Sequence, residues 1–277
     1  MPETYRDEKK NVTITAARIE LADKVSFGRD IDIRVKGVFA LGHRSHLGND
    51  VQIRGHDVRL GADLFHSSGL RVGGGGRQHP RADLTLGDRC TIHDNFINVC
   101  EPVEIGDDVG LSPGVSILTH GYWLSVLEGF PATFKGVRVG NGVIVGYRTV
   151  IMMGVSIGDR AVIGAQSVIT KSLEGDAIYA GNPAKLIRAI AAPDEAKRRA
   201  LVDHIVAEYR EIAAYHGIAP TIAVDYPKIR VNGCTFDVLT LTFEGVEDDE
   251  TDDFRDYVRK WGLRYFSDRP HRSVFEF

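Results

Sequence analysis

A period of six residues over 139–174 constrains this chain more than any other feature of its sequence. Branched aliphatic residues return at every sixth position without a slip: Val139, Val145, Ile151, Ile157, Ile163 and Ile169. A helical period of 3.6 residues would smear this spacing, and the simple alternation of a strand would not hold it. An internal repeat of this kind is typical of solenoids, in which each unit buries its apolar face only against its neighbours.

The same spacing occurs earlier in the chain, in blocks separated by interruptions. The earlier aliphatics are Leu41, Leu47, Ile53, Leu86, Ile92, Ile105, Leu111 and Ile117, after a weaker start at Ile19, Val25 and Ile31. Glycine follows many of them, which suits a corner where backbones pack closely or φ is positive. We therefore expect short strands joined by corners, three to a triangular coil, with the coils stacked at the spacing of sheet strands. Residues 12–174, less two interruptions, make about seven such coils.

Composition excludes several classes of protein. The 277 residues carry a net charge of −4 and are 43% hydrophobic, so a disordered chain is not expected. Neither a basic nucleic-acid footprint nor an apolar run that could span a membrane is present, and the first residues do not form a secretory signal. Three cysteines, Cys90, Cys100 and Cys234, are too few for a disulfide framework and favour the reducing cytoplasm.

The end of the repeat resembles a known family. Residues 162–171 are similar to the final coil of the hexapeptide-repeat acyltransferases, in their sugar and polysaccharide O-acetyltransferase branch. Residues 180–188, which contain Ala-Gly-Asn-Pro-Ala-Lys, are similar to that family's terminating motif. The resemblance is strongest over 86–188. It implies an all-β solenoid, a left-handed parallel β-helix, whose hand is an exception to the right-handed crossover rule.

The resemblance also implies a function. Acetyl-CoA would be the co-substrate, a saccharide hydroxyl the acceptor and a homotrimer the assembly, since the family's sites form between subunits. N-acetylation of an amino sugar and a non-catalytic scaffold remain alternatives, because one solenoid fold serves several functions.

Two insertions, about 66–83 and 120–136, interrupt the repeat, and functional residues of solenoids tend to lie on insertions. His120 ends a coil where the second insertion begins, and O-acetyltransferases of this family have a histidine at this break. The resemblance implies that His120 is the general base that takes the hydroxyl proton. Asn98 matches the asparagine of the family's Phe-Ile-Asn segment, which binds the acceptor or stabilises the oxyanion. A corner asparagine of the solenoid is the alternative.

The resemblance implies further site residues, by their positions in the final coils and the terminating motif. Those expected to flank the pantetheine are Tyr147, Ala165 and Thr170. Those expected to face the coenzyme phosphates, since cations suit a polyanion, are Lys171, Lys185 and Arg188. Plain solvation of these cations is the alternative. The aromatic insertion places Tyr122 and Trp123 beside the base, where they would shape the acceptor site or pack on a neighbouring subunit.

Two other ligand sites are not expected. The run Gly73–Gly76 lacks the order of a phosphate-binding loop and favours a loop tip. The carbonic anhydrases of this fold need three zinc histidines, two of them five apart, but Ser125 stands five residues after His120. His43 and His46 are three apart and His56 stands alone, so no metal is expected.

The repeat ends near residue 188. Twenty-six of the thirty glycines lie in 1–188, which we assign to the acyltransferase domain, and four lie in 189–277. In the second part the spacing predicts helices over 194–216 and 251–261, and strands over 228–231, 234–243 and 263–266. Asn232-Gly233 is a hairpin signal between the first two strands. The acidic stretch 244–256 is interpreted as a solvated turn and helix start.

Overall fold

The computed structural model describes residues 1–74, 79–269 and 272–274. Two compact units make up the chain, Met1–Ala191 and Ala192–Phe277, so the first unit ends close to the predicted boundary at residue 188. Within the described ranges no helix is long and apolar enough to span a membrane.

Three sheets form the faces of the first unit. The strands of sheet A are Glu3–Asp7, Val12–Ala16, Ile31–Val35, Val51–Gly55, Arg71–Gly73, Phe96–Asn98, Ser116–Ile117, Val150–Ile151 and Val168–Ile169. The strands of sheet B are Arg18–Leu21, Val38–Leu41, Val58–Leu60, Leu84–Leu86, Val103–Ile105, Val137–Val139 and Ser156–Ile157. The strands of sheet C are Ser26–Phe27, His46–Asn49, Phe65–Ser68, Thr91–Ile92, Gly110–Leu111, Ile144–Val145, Val162–Ile163, Ala177–Ala180 and Lys185–Ala189.

The chain visits sheets A, B and C in turn, and each circuit is one coil. Pairing between coils is parallel, except that Glu3–Asp7 and Lys185–Ala189 pair antiparallel at the two ends. The solenoid has about eight turns. The predicted fold class, a left-handed parallel β-helix of hexapeptide repeats with a C-terminal helix and small α+β segment, is confirmed.

The repeated aliphatics form the core of this prism. All six in the regular run are at most 2% exposed, and those of the three earlier blocks are at most 3% exposed. The glycine after the aliphatic serves close packing. A Cβ on Gly146 would lie 2.6 Å from the backbone nitrogen of Ala165 in the next coil. Positive φ values fall two residues later, at Arg148, Arg160 and Gln166.

The first insertion is narrower than predicted. Phe65–Ser68 and Arg71–Gly73 continue the coil, so the chain departs only after Gly73, and the coil number rises from about seven to about eight. The sequence pattern does not show the strand Phe65–Ser68, because His66 occupies an inward position where the repeat has an aliphatic. In register, His66 lies between Leu47 and Ile92. Gly75 and Gly76 lie outside the described residues.

His66 is a polar side chain inside an apolar stack. It is fully buried, and the Gly48 N–H donates to its Nδ1 at 3.1 Å. Its Nε2 has no hydrogen-bond partner among the described residues. Burial lowers the pKa of His66 to about 4, because the charged ring would lose its hydration.

The second unit contains helix α1, Glu195–Tyr215, and helix α2, Asp249–Val258, which a 3-10 turn, Arg259–Trp261, extends. Its antiparallel sheet D has the strands Ile222–Asp225, Lys228–Val231, Cys234–Asp237 and Thr242–Gly245. The predicted strand 234–243 is two strands, because the Asp237 carboxylate accepts the Leu239 and Thr240 N–H groups and turns the chain. No strand forms over 263–266, and the strand over 222–225 was not predicted.

The interpretation of 244–256 as a solvated turn and helix start holds for its first part, since Glu244 is exposed and Asp248 caps helix α2, but not for the residues inside the helix. Asp252, Asp253 and Arg255 are at most 4% exposed. The Arg255 guanidinium donates to Asp252 at 2.7 Å. Asp253 accepts from the Tyr209 hydroxyl at 3.1 Å and lies 3.1 Å from His216 Nδ1. Each buried charge therefore has a partner, on helix α2 itself for Asp252 and Arg255 and on other residues for Asp253.

We predict that His66 makes the folded chain acid-sensitive. An unfolded histidine takes up its proton near pH 6.5, whereas folded His66 resists protonation down to about pH 4. The free energy of unfolding therefore falls as pH falls from about 6.5 to about 4, by up to about 3 kcal/mol. His66→Leu should flatten this part of the curve, measured by urea unfolding across pH. His56→Leu is the control, and an unchanged slope in His66→Leu would contradict the assignment.

Candidate active site

His120 lies where the second insertion leaves the solenoid. It follows the sheet A strand Ser116–Ile117, at the corner between sheets A and B, which we call the A–B corner. His120–Gly121 pairs antiparallel with Thr133–Phe134, so the insertion leaves and returns at one point. The His120 ring is half-buried.

The Asn98 side chain holds His120. Its Oδ1 lies 2.8 Å from His120 Nδ1 and also accepts the Thr119 N–H at 3.2 Å. At the other end, Asn98 Nδ2 donates to the carbonyls of Gly73 at 3.0 Å and Gly74 at 2.9 Å. Backbone donors and acceptors therefore fix which end of the amide is oxygen.

This orientation determines the tautomer of His120. Because Asn98 Oδ1 can only accept, His120 Nδ1 carries the hydrogen in the neutral ring. The Nε2 atom then carries the lone pair. The arrangement can take a proton at Nε2 from a hydroxyl placed beside it.

The contacts of Asn98 contradict an oxyanion role. Asn98 is 2% exposed, and both amide hydrogens go to the carbonyls of Gly73 and Gly74. No hydrogen remains for an oxyanion or an acceptor. Asn98 is thus a corner residue, the alternative in the sequence analysis, but one whose oxygen contacts the candidate base.

Two aromatic rings flank His120. Phe134 stacks on it at 6.0 Å between ring centroids and 10° between planes, and Tyr122 lies at 5.5 Å and 35°. Tyr122 is 59% exposed, so its open face borders the space beside the base. Trp123 is 90% exposed and has no described ring contact with His120. Phe134 lies at the return of the same insertion and belongs to the aromatic loop that the sequence places beside the base.

The residues expected at the coenzyme lie on both edges of sheet A. Tyr147 and Ala165 occupy the corner after sheet C in successive coils, where the Gln166 N–H donates to the Tyr147 carbonyl at 2.7 Å. Thr170 and Lys171 occupy the A–B corner, two coils beyond His120. The structure therefore brings each pair together but places the pairs on opposite edges of one face.

The two remaining cations lie beyond the last coil. Lys185 and Arg188 are on the terminal antiparallel strand Lys185–Ala189, and both are exposed. Lys171 is exposed as well. All three side chains are thus accessible at the same end of the solenoid.

His56 does not stand alone. In the described part of the chain, His56, Asp57 and Asp83 place one ligand atom each within 4.8 Å of one another. Both carboxylates already accept backbone N–H groups, since Asp57 accepts from Val38 at 2.8 Å and Asp83 from Asp57 at 2.9 Å. These bonds link successive coils, so the cluster has a structural explanation.

Comparison with known proteins finds relatives among the acetyltransferases. No protein-family model matches the chain. The galactoside O-acetyltransferase of Escherichia coli K12 is 30% identical over 148 residues, which are 51% of this chain and 65% of that protein. Serine acetyltransferase 2 of Arabidopsis thaliana is 36% identical over 92 residues, 33% of this chain and 28% of that protein. These relatives are acetyltransferases, as the resemblance in the sequence implies.

These matches are partial. The chain spans less than two thirds of the length of each of these two relatives. The solved structure of a maltose O-acetyltransferase from Clostridium difficile 630 is 26% identical, with a TM-score of 0.32 over 51% of this chain and 68% of that one.

Proposed function

We propose that this chain is an acetyl-CoA-dependent O-acetyltransferase that acts on a saccharide hydroxyl. The observation that carries the proposal is the His120–Asn98 pair at 2.8 Å, which occupies Nδ1 and leaves the lone pair of the neutral ring on Nε2. The names of the relatives support acetyl transfer, and the galactoside O-acetyltransferase supports a sugar hydroxyl as acceptor.

The reaction we propose is direct attack. His120 Nε2 takes the hydroxyl proton as the oxygen bonds to the thioester carbon, since an alcohol is a poor nucleophile until a base removes that proton. Backbone amides stabilise the oxyanion, because Asn98 has no hydrogen left to donate. The carbon–sulfur bond then breaks, and the coenzyme thiolate takes the proton back from His120.

The coenzyme would lie along the outer face of sheet A. Its pantetheine would run between the two edges that carry Tyr147, Ala165 and Thr170. The phosphates would meet the cations at the end of the solenoid, Lys171, Lys185 and Arg188. Exposed cations bind a polyanion without losing a partner of their own.

The acceptor would lie on the aromatic side of the base. Tyr122 offers an open ring face next to His120, and Trp123 extends the apolar surface. We further propose a homotrimer in the cytoplasm. The exposed apolar side chains of 122–130 support self-association, and the absence of a disulfide among the described residues is compatible with a reducing compartment.

We predict that His120→Gln lowers kcat for acetyl transfer by about 100- to 10,000-fold, because the base is lost. The KM for acetyl-CoA should change little. Release of the coenzyme thiol, followed with a thiol reagent, measures both. His93→Gln is the matched control, since His93 lies at another corner and bonds Ser67. Unchanged turnover in His120→Gln would favour a different base. Absence of any turnover in the wild type would favour the scaffold alternative.

The nature of the acceptor needs a separate measurement. A saccharide and its matching amino sugar should be offered side by side, and acetylated products identified by mass spectrometry. We expect acetyl on the hydroxyl of both. Acetyl only on the amine would replace the proposal with N-acetylation.

We predict that the cations act on coenzyme affinity. Lys171→Gln and Arg188→Gln should each raise the KM for acetyl-CoA by about tenfold, which corresponds to about 1.4 kcal/mol, with kcat unchanged. The effect should shrink when the coenzyme lacks its 3′-phosphate. Arg138→Gln on sheet B, which removes an exposed arginine paired with Glu104, is the control. Equal KM values across the three variants would contradict this placement.

A further inference from the structure

The two insertions of the repeat meet at one side chain. Gly73 and Gly74 stand at the A–B corner of the fourth coil, Asn98 at that corner of the fifth, and His120 at that corner of the sixth. We propose that Asn98 is a positioning residue that holds His120 in its Nδ1–H tautomer, and that the carbonyls of Gly73 and Gly74 hold Asn98. This inference rests on the proposed function, because the tautomer matters only if Nε2 is the base.

Fixed donors and acceptors surround the Asn98 amide. The Thr119 N–H can only donate, and it meets one end of the amide at 3.2 Å. The carbonyls of Gly73 and Gly74 can only accept, and they meet the other end at 3.0 and 2.9 Å. A flipped amide would place oxygen against two carbonyls and hydrogen against an N–H. Asn98 therefore presents its oxygen to His120.

Thr119 completes the arrangement from the side of the base. It is fully buried, its hydroxyl donates to Asn98 Oδ1 at 2.5 Å, and the same hydroxyl accepts the Glu101 N–H at 3.2 Å. The hydroxyl hydrogen is thereby committed to Asn98. Neither the oxygen nor the nitrogen end of the amide can rotate without losing at least two hydrogen bonds.

Only glycine fits at position 74. Its φ is +97°, and a Cβ there would lie 2.0 Å from Asn98 Nδ2. A methyl group at this position would therefore displace the amide that contacts His120. The start of the glycine run thus has a specific role, and the first insertion contributes to the site through Asn98.

Nitrogen-15 NMR of histidine-labelled protein tests the tautomer without any assay of activity. In the wild type we expect His120 Nδ1 to be protonated and Nε2 to show the shift of an unprotonated ring nitrogen. In Gly74→Ala we expect signals of both tautomers. Gly142→Ala is the matched control, since Gly142 also has a positive φ, of +65°, but a Cβ there meets the flexible Arg160 side chain. Protonation of Nε2 in the wild type would overturn the proposal.

The second arm is the pH profile of kcat. Asn98→Asp places a carboxylate against His120 Nδ1–H, which stabilises the protonated ring. The acid limb should move up by about one to two pH units, which a purely structural loss would not do. Asn95→Asp is the control, because Asn95 is equally buried and bonds the Ser112 carbonyl and the His93 N–H instead.

The two arms separate the possible failures. An acid limb that moves equally in Asn98→Asp and Asn95→Asp would overturn the positioning role. A tautomer that depends on Gly74, combined with unchanged turnover in His120→Gln, would uphold the contact between Asn98 and His120 and overturn the role of His120 as the base.

Discussion

The close stacking of one coil on the next is the constraint on which the rest of the structure depends. At the corners the backbones approach so closely that a Cβ on Gly146 would lie 2.6 Å from the next coil. Glycine therefore follows the aliphatic at the corners where backbones approach this closely, and an aliphatic fills the axis in each unit of the regular run. The aliphatic returns with a period of six, and the candidate base lies where this period is broken.

Much of the fold could be predicted because every unit has the same surroundings. Val145 and Ile151 lie in different coils, yet both meet an aliphatic above and below, so one rule describes each. His66 escaped this rule since a polar residue stands at its inward position. In the second unit Asp253 was assigned to the surface, because the sequence does not show that Tyr209 and His216 reach it from helix α1.

The candidate site could be predicted in its parts but not in its connections. His120 and Asn98 follow from the resemblance, whereas their contact joins residues 22 positions apart, and the contact of Asn98 with Gly73 spans 25. Neither separation equals the 18 residues of a regular coil, because the coils differ in length. Which residues stack therefore depends on where each insertion leaves the solenoid, and the repeat alone does not specify that.

A regular solenoid gives every corner the same neighbours and thus cannot make one histidine different from another. Insertions that leave the solenoid in neighbouring coils make the surroundings of one corner different from those of the others. Where the chain leaves after Gly73, the carbonyls of Gly73 and Gly74 both accept from Asn98 Nδ2, and the Gly73 carbonyl also accepts the Val99 N–H of the next coil. Where the chain leaves the solenoid again after Thr119, His120 Nδ1 contacts Asn98 Oδ1, whose position those hydrogen bonds fix. A site that needs an oriented base is for this reason expected where insertions two coils apart converge on the corner between them.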